Sequence, residues 1–527
     1  MTQLLLIYEE GKDAIDIAMI IFNEAQSRQV TATTEEIFSV LRLLIPRCLG
    51  FVLVFDGVDE CLDQDQLFER LQDIEPISNS ISIAIFSRPT IKIPTRMARN
   101  SLHIPLNGVQ NLRDIRRYLR PKIRDMVKDN ILRSTTVVED VVIKISDRAN
   151  GMFLWATLLV EYLSLPALSV RQRQEAIDNL IRLEGMDAIY TAILNSLTTR
   201  TCGQAKGNII RLFQLVAWSY RPLLVGELEC ALAILPDRPL SHDDTIPNFA
   251  KSLGRISGAL MEIVNDGSVR FVHLSVLEYV TSSKQHHSGS SAMTDTFCSS
   301  IGKDVSHLSC AGYCLSYLCY NVAAEPLGGS PQTTPDRKLQ QRRYPFLEYA
   351  AEFWSHHALE SLNAVDSDAL HGETELIERT IQSAKTFLSN KHMVTTWIEA
   401  SWMFQHPPQV RSGPNDEMLS AYFGRHHNRS LNGVETLEAF ELLGRLARDL
   451  QELNSSWGDV LGKTPNEIWE PSISAFTKSP FWISTPGSKL TPLQRKDHKA
   501  RGSICLKSQV SSDGLQIAVL RAIPNPR

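Results

Sequence analysis

A run of five apolar residues followed by an acidic turn is the feature that most constrains the fold of this chain. Residues 51–60 read Phe-Val-Leu-Val-Phe-Asp-Gly-Val-Asp-Glu. Such a run predicts a strand buried on both faces of a parallel sheet. Carboxylates directly after that strand lie where open α/β sheets place their ligands. The run therefore predicts a Walker B segment, in which one carboxylate holds Mg²⁺, often through water, and another polarises the attacking water.

A second apolar run follows at the spacing of a βαβ unit. The pattern predicts a helix from Gln64 to Ile74 and a strand over residues 81–86. Strand, helix and strand at this spacing indicate a right-handed crossover between parallel strands. Ser87 and Arg88 follow the second strand, so we expect a hydroxyl and a guanidinium beside the carboxylate of Asp56.

Length, charge and cysteine content bound the class of protein. A chain of 527 residues predicts three or four domains, because a single core stops growing well below that length. The formal net charge of −5 gives no overall attraction to nucleic acid or to an anionic membrane. Nine scattered cysteines predict reduced thiols in an intracellular protein. The N-terminus does not resemble a signal peptide, and residues 151–170 are interrupted by Glu161 and Pro166, which argues against a membrane span. We therefore expect a soluble, cytoplasmic protein that does not contact membranes.

The hydrophobic pattern divides the chain into segments of different type. The two helical patterns before the hairpin signal Asn265-Asp266-Gly267 predict a winged helix. The predicted fold class is multidomain, α/β plus mostly α, with a partial P-loop NTPase-like parallel sheet. The predicted segments are 1–130, a partial α/β domain; 131–204, a helical domain; 205–283, a winged-helix-like domain; 297–460, an α-helical connector; and 461–527, an irregular tail with the start of a β segment.

Two further stretches carry expectations about exposure and pairing. Residues 284–296 and 325–343 are polar or rich in Pro and Gly, which predicts exposed linkers. Residues 510–520 predict a turn followed by one strand, for which no partner strand is found in the remaining sequence.

One cluster of cysteine and histidine raises the question of zinc. His307, Cys310, Cys314 and Cys319 share a helical spacing with several leucines. Zinc sites usually gather four ligands on a knuckle rather than along one amphipathic helix, so the pattern favours core packing.

Six short motifs in one order resemble the NACHT-domain STAND NTPases of filamentous fungi, which are NLR-like proteins. They are Phe51 to Cys61 (Walker B), Phe86-Ser87-Arg88-Pro89 (sensor 1), Gly151 to Ala156, Arg221-Pro222-Leu223, Phe271-Val272-His273-Leu274-Ser275, and Tyr344 to Ala351 with Trp354 and His357. The resemblance implies a NACHT domain, then a helical domain, a winged helix and helical connectors, associated with ankyrin, WD or other repeats. It also implies a switch, closed with ADP and opened by ATP exchange, that oligomerises or binds protein partners and signals in self/non-self recognition.

The resemblance assigns roles to individual residues. Asp56 matches the Mg²⁺-associated acid, and Asp59 and Glu60 match the acidic pair, with Glu60 the better candidate for the base. Ser87 and Arg88 match sensor 1, whose arginine reaches the terminal phosphate in relatives. His273 matches the winged-helix histidine that touches the β-phosphate of ADP, although Leu274 stands where many relatives have Asp.

The phosphate-binding loop that should accompany these residues is not found. In such a loop, backbone amides and one lysine converge on the phosphates, with the pattern G-x-x-x-x-G-K-[ST] ahead of the Walker B strand. Gly11-Lys12 and Gly302-Lys303 are each followed by aspartate. Gly458 to Thr464 is one residue short, follows a helical pattern and lies far beyond the Walker B strand, so we reject it.

Without this loop, the sequence predicts a NACHT/STAND-type signalling or scaffold protein with a degenerate or truncated nucleotide site. ATP or ADP and Mg²⁺ are implied by the resemblance, but we expect neither tight binding nor hydrolysis by this chain. A truncated gene model and a truly degenerate member are both compatible with the loss, and the unpartnered last strand favours truncation. Two alternatives stay open: an active ATP- or GTP-dependent oligomerising switch, and a winged-helix nucleic-acid binder. The segment from Lys251 to Arg255 carries only two cations, which makes nucleic acid the less favoured partner.

Overall fold

The computed structural model divides into two compact units, Met1–Leu106 and Asn107–Arg527. The residues it describes are 34–44, 51–61, 63–74, 81–87, 91–99, 101–104, 108–165, 168–200, 203–282, 297–363, 374–410, 432–470, 473, 479–483, 504–510 and 517–522.

The first unit contains a two-stranded parallel sheet with helices against one face. Its elements are α1 (Thr34–Leu44), β1 (Phe51–Asp56), α2 (Gln64–Ile74), β2 (Ile81–Phe86) and α3 (Thr95–Arg99). β1 and β2 run parallel, from the pair Phe51–Ile81 to the pair Asp56–Phe86. The βαβ prediction is therefore confirmed. α2 and β2 have the predicted bounds, and β1 extends one residue beyond the predicted apolar run, to Asp56.

The apolar face of this unit is built from alternate strand residues. Phe55, Ile83 and Ile85 pack against a core that includes Phe38 of α1 and Phe68 of α2. Phe68 is 1% exposed. The helices therefore cover the side of the sheet that carries the odd-numbered residues.

The prediction that the first strand is buried on both faces is wrong in the described structure. Val52 and Val54, on the other side of β1, are 64% and 62% exposed, and Phe86 at the end of β2 is 49% exposed. Side chains alternate between the two faces of a strand, so helices on one face leave the even-numbered residues uncovered.

The second unit is mostly helical and begins with five helices. They are α4 (Gly108–Lys128), α5 (Val138–Ala149), α6 (Phe153–Ser164), α7 (Val170–Asp178) and α8 (Met186–Arg200). One apolar core extends from Ile115 in α4 to Trp482 near the end of the chain. The indole of Trp155, which is fully buried, donates a hydrogen bond to the carbonyl of Leu183 at 2.7 Å. The helical pattern predicted here is confirmed.

A winged helix follows these helices. Its elements are α9 (Gln204–Trp218), α10 (Val225–Ala233), α11 (Phe249–Ile256), β3 (Met261–Ile263), β4 (Val269–Phe271) and α12 (Leu274–Thr281). β3 and β4 form the predicted antiparallel hairpin. Gly267, in its turn, has a φ of 80°, a conformation that glycine adopts without strain. An isolated antiparallel bridge from Leu224 to Ser268, which the sequence did not suggest, joins the segment before α10 to the hairpin.

The predicted connector is also helical. Its helices are α13 (Lys303–Tyr320), α14 (Arg337–Arg343), α15 (Leu347–Asn363), α16 (Thr374–Ser389), α17 (Lys391–Met403) and α18 (Asn432–Leu461). Cys310 and Cys314 of α13 are fully buried in the apolar core, and Cys319 is 5% exposed. The described residues contain no group of three or more His, Cys, Asp and Glu side chains placed to hold a metal ion. The burial of these thiols confirms the prediction of core packing.

The interpretation of residues 325–343 as an exposed linker is wrong in part. The amide of Leu327 donates to a carboxylate oxygen of Glu399 at 2.9 Å, and its carbonyl accepts from the side chain of Gln340 at 2.8 Å. Leu327, Gln340 and Glu399 are 5%, 3% and 0% exposed. Buried polar side chains therefore hold the segment at Leu327 in place. A sequence pattern rich in Pro and Gly does not reveal these distant partners. Residues 284–296 lie outside the described residues.

The expectation of a lone C-terminal strand is wrong. β5 (Ile504–Val510) and β6 (Ile517–Ala522) pair as an antiparallel hairpin. The first strand was missed because Lys507, Ser508 and Gln509 interrupt its apolar pattern. None of the helices in the described part of the chain has both the length and the apolar character needed to cross a membrane.

Candidate nucleotide-binding residues

The acidic turn leaves the sheet at the end of β1. Asp56 is the last residue of that strand, opposite Phe86, and Ser87 follows directly after β2. The carboxyl ends of parallel strands meet at one sheet edge, so the Asp56 and Ser87 positions share it. Both side chains are exposed. The structure thus places these two predicted residues together.

A left-handed glycine redirects the chain after Asp56. Gly57 has a φ of 67° and precedes a turn of 3-10 helix, Val58–Glu60. The backbone carbonyl of Asp59 accepts a hydrogen bond from the side chain of Gln64 at 3.2 Å, and the residue is partly buried. The turn is therefore held to the start of α2. The side chain of Glu60 and all of Arg88 lie outside the described residues.

The chemistry of these oxygen atoms suits a magnesium ion. Mg²⁺ prefers hard oxygen ligands and keeps several of its waters, so one exposed carboxylate with a nearby hydroxyl is a fitting donor set. Asp56 would hold such an ion through water, and Ser87 could hydrogen-bond to its hydration shell. The ion's contribution would be to neutralise charge on phosphate oxygens.

The predicted histidine of the winged helix caps a helix. His273 precedes α12, and its Nδ1 atom accepts a hydrogen bond from the amide of Ser275 at 3.1 Å. Because Nδ1 is an acceptor, the proton of the neutral ring lies on Nε2. The side chain is exposed. His273 is therefore held at a helix N-terminus in a tautomer whose Nε2 atom is a hydrogen-bond donor, a suitable arrangement for a phosphate oxygen.

A tyrosine that the sequence did not single out supports this histidine. Ser275 Oγ lies 2.7 Å from His273 Nδ1 and 2.7 Å from the hydroxyl of Tyr190 in α8. Burial raises the pKa of Tyr190 to about 12, so its hydroxyl keeps its proton. Tyr190 and Ser275 are separated by 85 residues, and no local pattern could have linked them.

Two of the motifs that carry the resemblance meet in the second unit. The guanidinium of Arg221 donates two hydrogen bonds to the carboxylate of Glu227, at 2.8 and 2.6 Å, and lies over the ring of Tyr349 at 5.3 Å. The amide of Tyr220 donates to the hydroxyl of Tyr349 at 3.2 Å. The segment before α10 is thus fixed to α15 of the connector. Glu227 was missed, although a glutamate at the third position of a helix often accepts a hydrogen bond from the amide before the helix, as Glu227 does from Leu224 at 2.8 Å.

A buried chain of two histidines continues from this contact. Tyr349 bonds to His357 Nε2 at 2.8 Å, and His357 Nδ1 lies 2.8 Å from Nδ1 of His307. With both rings neutral, the phenol donates to His357, and His357 donates to His307. Burial lowers the pKa of His307 to about 4 and the pKa of His357 well below 6.5. Both rings are therefore neutral near pH 7.

The rejected phosphate-loop pattern lies on a helix. Gly458 is inside α18, and Gly462 follows its last residue. A short 3-10 helix, Pro465–Trp469, comes next. A phosphate loop joins a strand to a helix, so the structure supports the rejection.

A family model described as GPI inositol-deacylase, winged helix domain, matches residues 195–291. This is a winged-helix domain of the kind found in STAND proteins, and the predicted winged helix is thereby confirmed. No NTPase domain is detected in the chain. No curated protein and no solved structure matches this chain.

Proposed function

We propose that this chain is a NACHT/STAND-type signalling or scaffold protein whose nucleotide site is degenerate. The observation that carries the proposal is the winged-helix match at residues 195–291. The acidic strand end at Asp56 precedes it in the chain, which is the order that the resemblance implies. The capped histidine, His273, supplies a third residue at a motif position.

The proposed roles follow from the chemistry of each residue. Asp56 would hold Mg²⁺ through water, and Glu60 or Asp59 would orient water if the site were functional. Ser87, Arg88 and His273 would be hydrogen-bond donors to phosphate oxygens. Protein partners or further copies of the chain would receive the signal, in self/non-self recognition.

One feature of the sequence supports impaired nucleotide binding. No G-x-x-x-x-G-K-[ST] pattern occurs in the chain. Each charge-assisted hydrogen bond to a phosphate contributes on the order of 1.5–3 kcal/mol. Loss of four or five such bonds removes affinity in the micromolar range, which corresponds to about 8 kcal/mol.

A titration with a fluorescent ATP analogue and Mg²⁺ tests this proposal. We expect no saturation below about 1 mM nucleotide, a binding free energy weaker than about 4 kcal/mol. We also expect the variants Asp56→Asn and His273→Ala to give the same weak signal as the wild type. Micromolar binding that Asp56→Asn weakens would contradict the degenerate site and favour the active ATP- or GTP-dependent switch.

A further inference from the structure

One helix of the second unit carries a row of cations on its solvent face. α4 has seven Arg and Lys residues and two Asp residues. Five of the cations recur at intervals of three or four residues, which places them on one side of a helix. They are Arg113, Arg117, Arg120, Arg124 and Lys128, here called the α4 basic row, and all five are exposed.

The opposite side of α4 fixes the direction of this row. Ile115, Leu119 and Ile123 are fully buried in the apolar core, and Met126 is 4% exposed. The helix cannot rotate without removing these side chains from the core. The row therefore faces away from the core of the second unit over about 22 Å, at 1.5 Å per residue.

Within the described part of the chain, four of the five cations of the α4 basic row have no carboxylate partner. Arg120 forms a bidentate ion pair with Glu139 of α5, at 2.9 and 2.7 Å. The other four cations make no hydrogen bond or ion pair with any residue that the structure describes. Asp114 and Asp125 flank the row and do not pair with it there. The net charge of the chain, −5, therefore hides a local excess of positive charge.

We propose that the α4 basic row binds the phosphate backbone of double-stranded nucleic acid without sequence preference. Four of its five members are arginines, whose planar guanidinium matches the oxygens of a phosphate. Duplex DNA carries one phosphate per about 1.7 Å of axis, counting both strands, so the length of duplex that the row spans contains about a dozen of them, of which those on the near side can be contacted.

An anionic membrane fits the row less well. Helices that bind a bilayer surface insert an apolar face among the lipids. The apolar face of α4 is in the protein core, and no large hydrophobic side chain of the described part of α4 is exposed. The winged helix offers a second, weaker candidate, because the segment around α11 presents only Lys251 and Arg255.

Fluorescence anisotropy with a mixed-sequence DNA duplex of about 20 base pairs tests the proposal on the full chain. Each phosphate contact contributes about −0.9 to the slope of log affinity against log salt. Four free cations therefore predict a slope of about −4. The double variant Arg117→Gln/Arg124→Gln is expected to make this slope less steep, about −2 instead of about −4. It is also expected to weaken binding about fiftyfold at 0.1 M salt.

Two further variants distinguish the α4 basic row from the cations of the winged helix and from a loss of fold. Lys251→Gln/Arg255→Gln removes the same charge from the winged helix, and we expect unchanged binding. Glu139→Gln releases Arg120 and is expected to strengthen binding several-fold. A gain of affinity cannot come from misfolding, and circular dichroism verifies the fold of all variants.

Three results would overturn the proposal. The first is a lack of duplex binding at about 50 mM salt. The second is an equal loss of duplex affinity in the α4 and winged-helix variants, and the third is tighter binding to phosphatidylserine vesicles than to the duplex. Because nucleotide titration does not involve α4, failure here would leave the proposed function standing.

Discussion

Replacing Arg173 by alanine is expected to lower the free energy of unfolding by about 3–5 kcal/mol. The guanidinium of this residue in α7 is 7% exposed and has no carboxylate partner among the described residues. It donates to the carbonyls of Leu163 at 2.6 Å, Leu165 at 2.8 Å and Ile131 at 3.5 Å. The first two close the C-terminal end of α6, where carbonyls lack helical partners and a cation is favourable.

Urea denaturation followed by circular dichroism measures this effect. Arg171→Ala is the matched control, because Arg171 lies two residues away, has a side chain that is 83% exposed and forms an ion pair with Glu175 on the same helix. We expect a cost of about 0.5 kcal/mol for the control. Similar midpoints for the two variants would show that Arg173 does not organise the end of α6.

Acidification is expected to destabilise the second unit through His307 and His357. A histidine whose pKa is lower in the folded than in the unfolded chain takes up fewer protons when folded. Such a histidine does not lower the free energy of unfolding at a pH above its unfolded pKa, 6.5. As the pH falls from 6.5 toward the folded pKa, the unfolded chain takes up the proton first, and the free energy of unfolding decreases. For His307, with a pKa of about 4 caused mainly by burial, the loss amounts to about 2 kcal/mol by pH 5.

Three carboxyl groups with raised pKa values, those of Glu352, Glu399 and Glu467, oppose this trend, so the test requires a comparison of variants. Burial raises the pKa of Glu352 and of Glu399 to about 7, and these groups favour the folded state at lower pH. His307→Asn keeps an acceptor near the Nδ1 position and removes the titrating ring. We expect its stability relative to wild type to improve between about pH 7.5 and pH 5.

The exposed His242→Asn variant is the control, and its pH profile should follow that of the wild type. If His307→Asn and the wild type lost the same stability on acidification, the buried histidine would not be a source of acid sensitivity. Chemical denaturation at each pH measures both profiles.

The sequence predicted the local elements of the fold well because their signals are local. The positions of β1, α2 and β2 and the hairpin near Gly267 all follow from periodicity and turn residues. The exposure of side chains and the pairing of strands were harder to predict. The bare face of β1 at Val52 depends on which side of the sheet the helices pack, and no pattern within the strand records it.

The candidate site shows the same limit. Asp56 and Ser87 could be placed at one sheet edge because parallel strands align their carboxyl ends. The contact of Tyr190 with Ser275, the pairing of Arg221 with Glu227 and the contact of His307 with His357 join residues that lie between 6 and 85 positions apart. Such contacts are set by packing, and periodicity alone does not predict them. The strand that begins at Ile504 was missed for a simpler reason, because polar residues interrupt its apolar pattern.

Our proposal is that this chain has the acidic strand end and the winged helix that a NACHT/STAND-type switch would have but does not respond to nucleotide. Mass photometry of the full chain, with and without millimolar Mg²⁺-ATP or Mg²⁺-ADP, tests this claim most directly. We predict the same distribution of assembly sizes in every condition, for the wild type and for Asp56→Asn alike. A shift in assembly size that requires ATP and disappears in Asp56→Asn would contradict it.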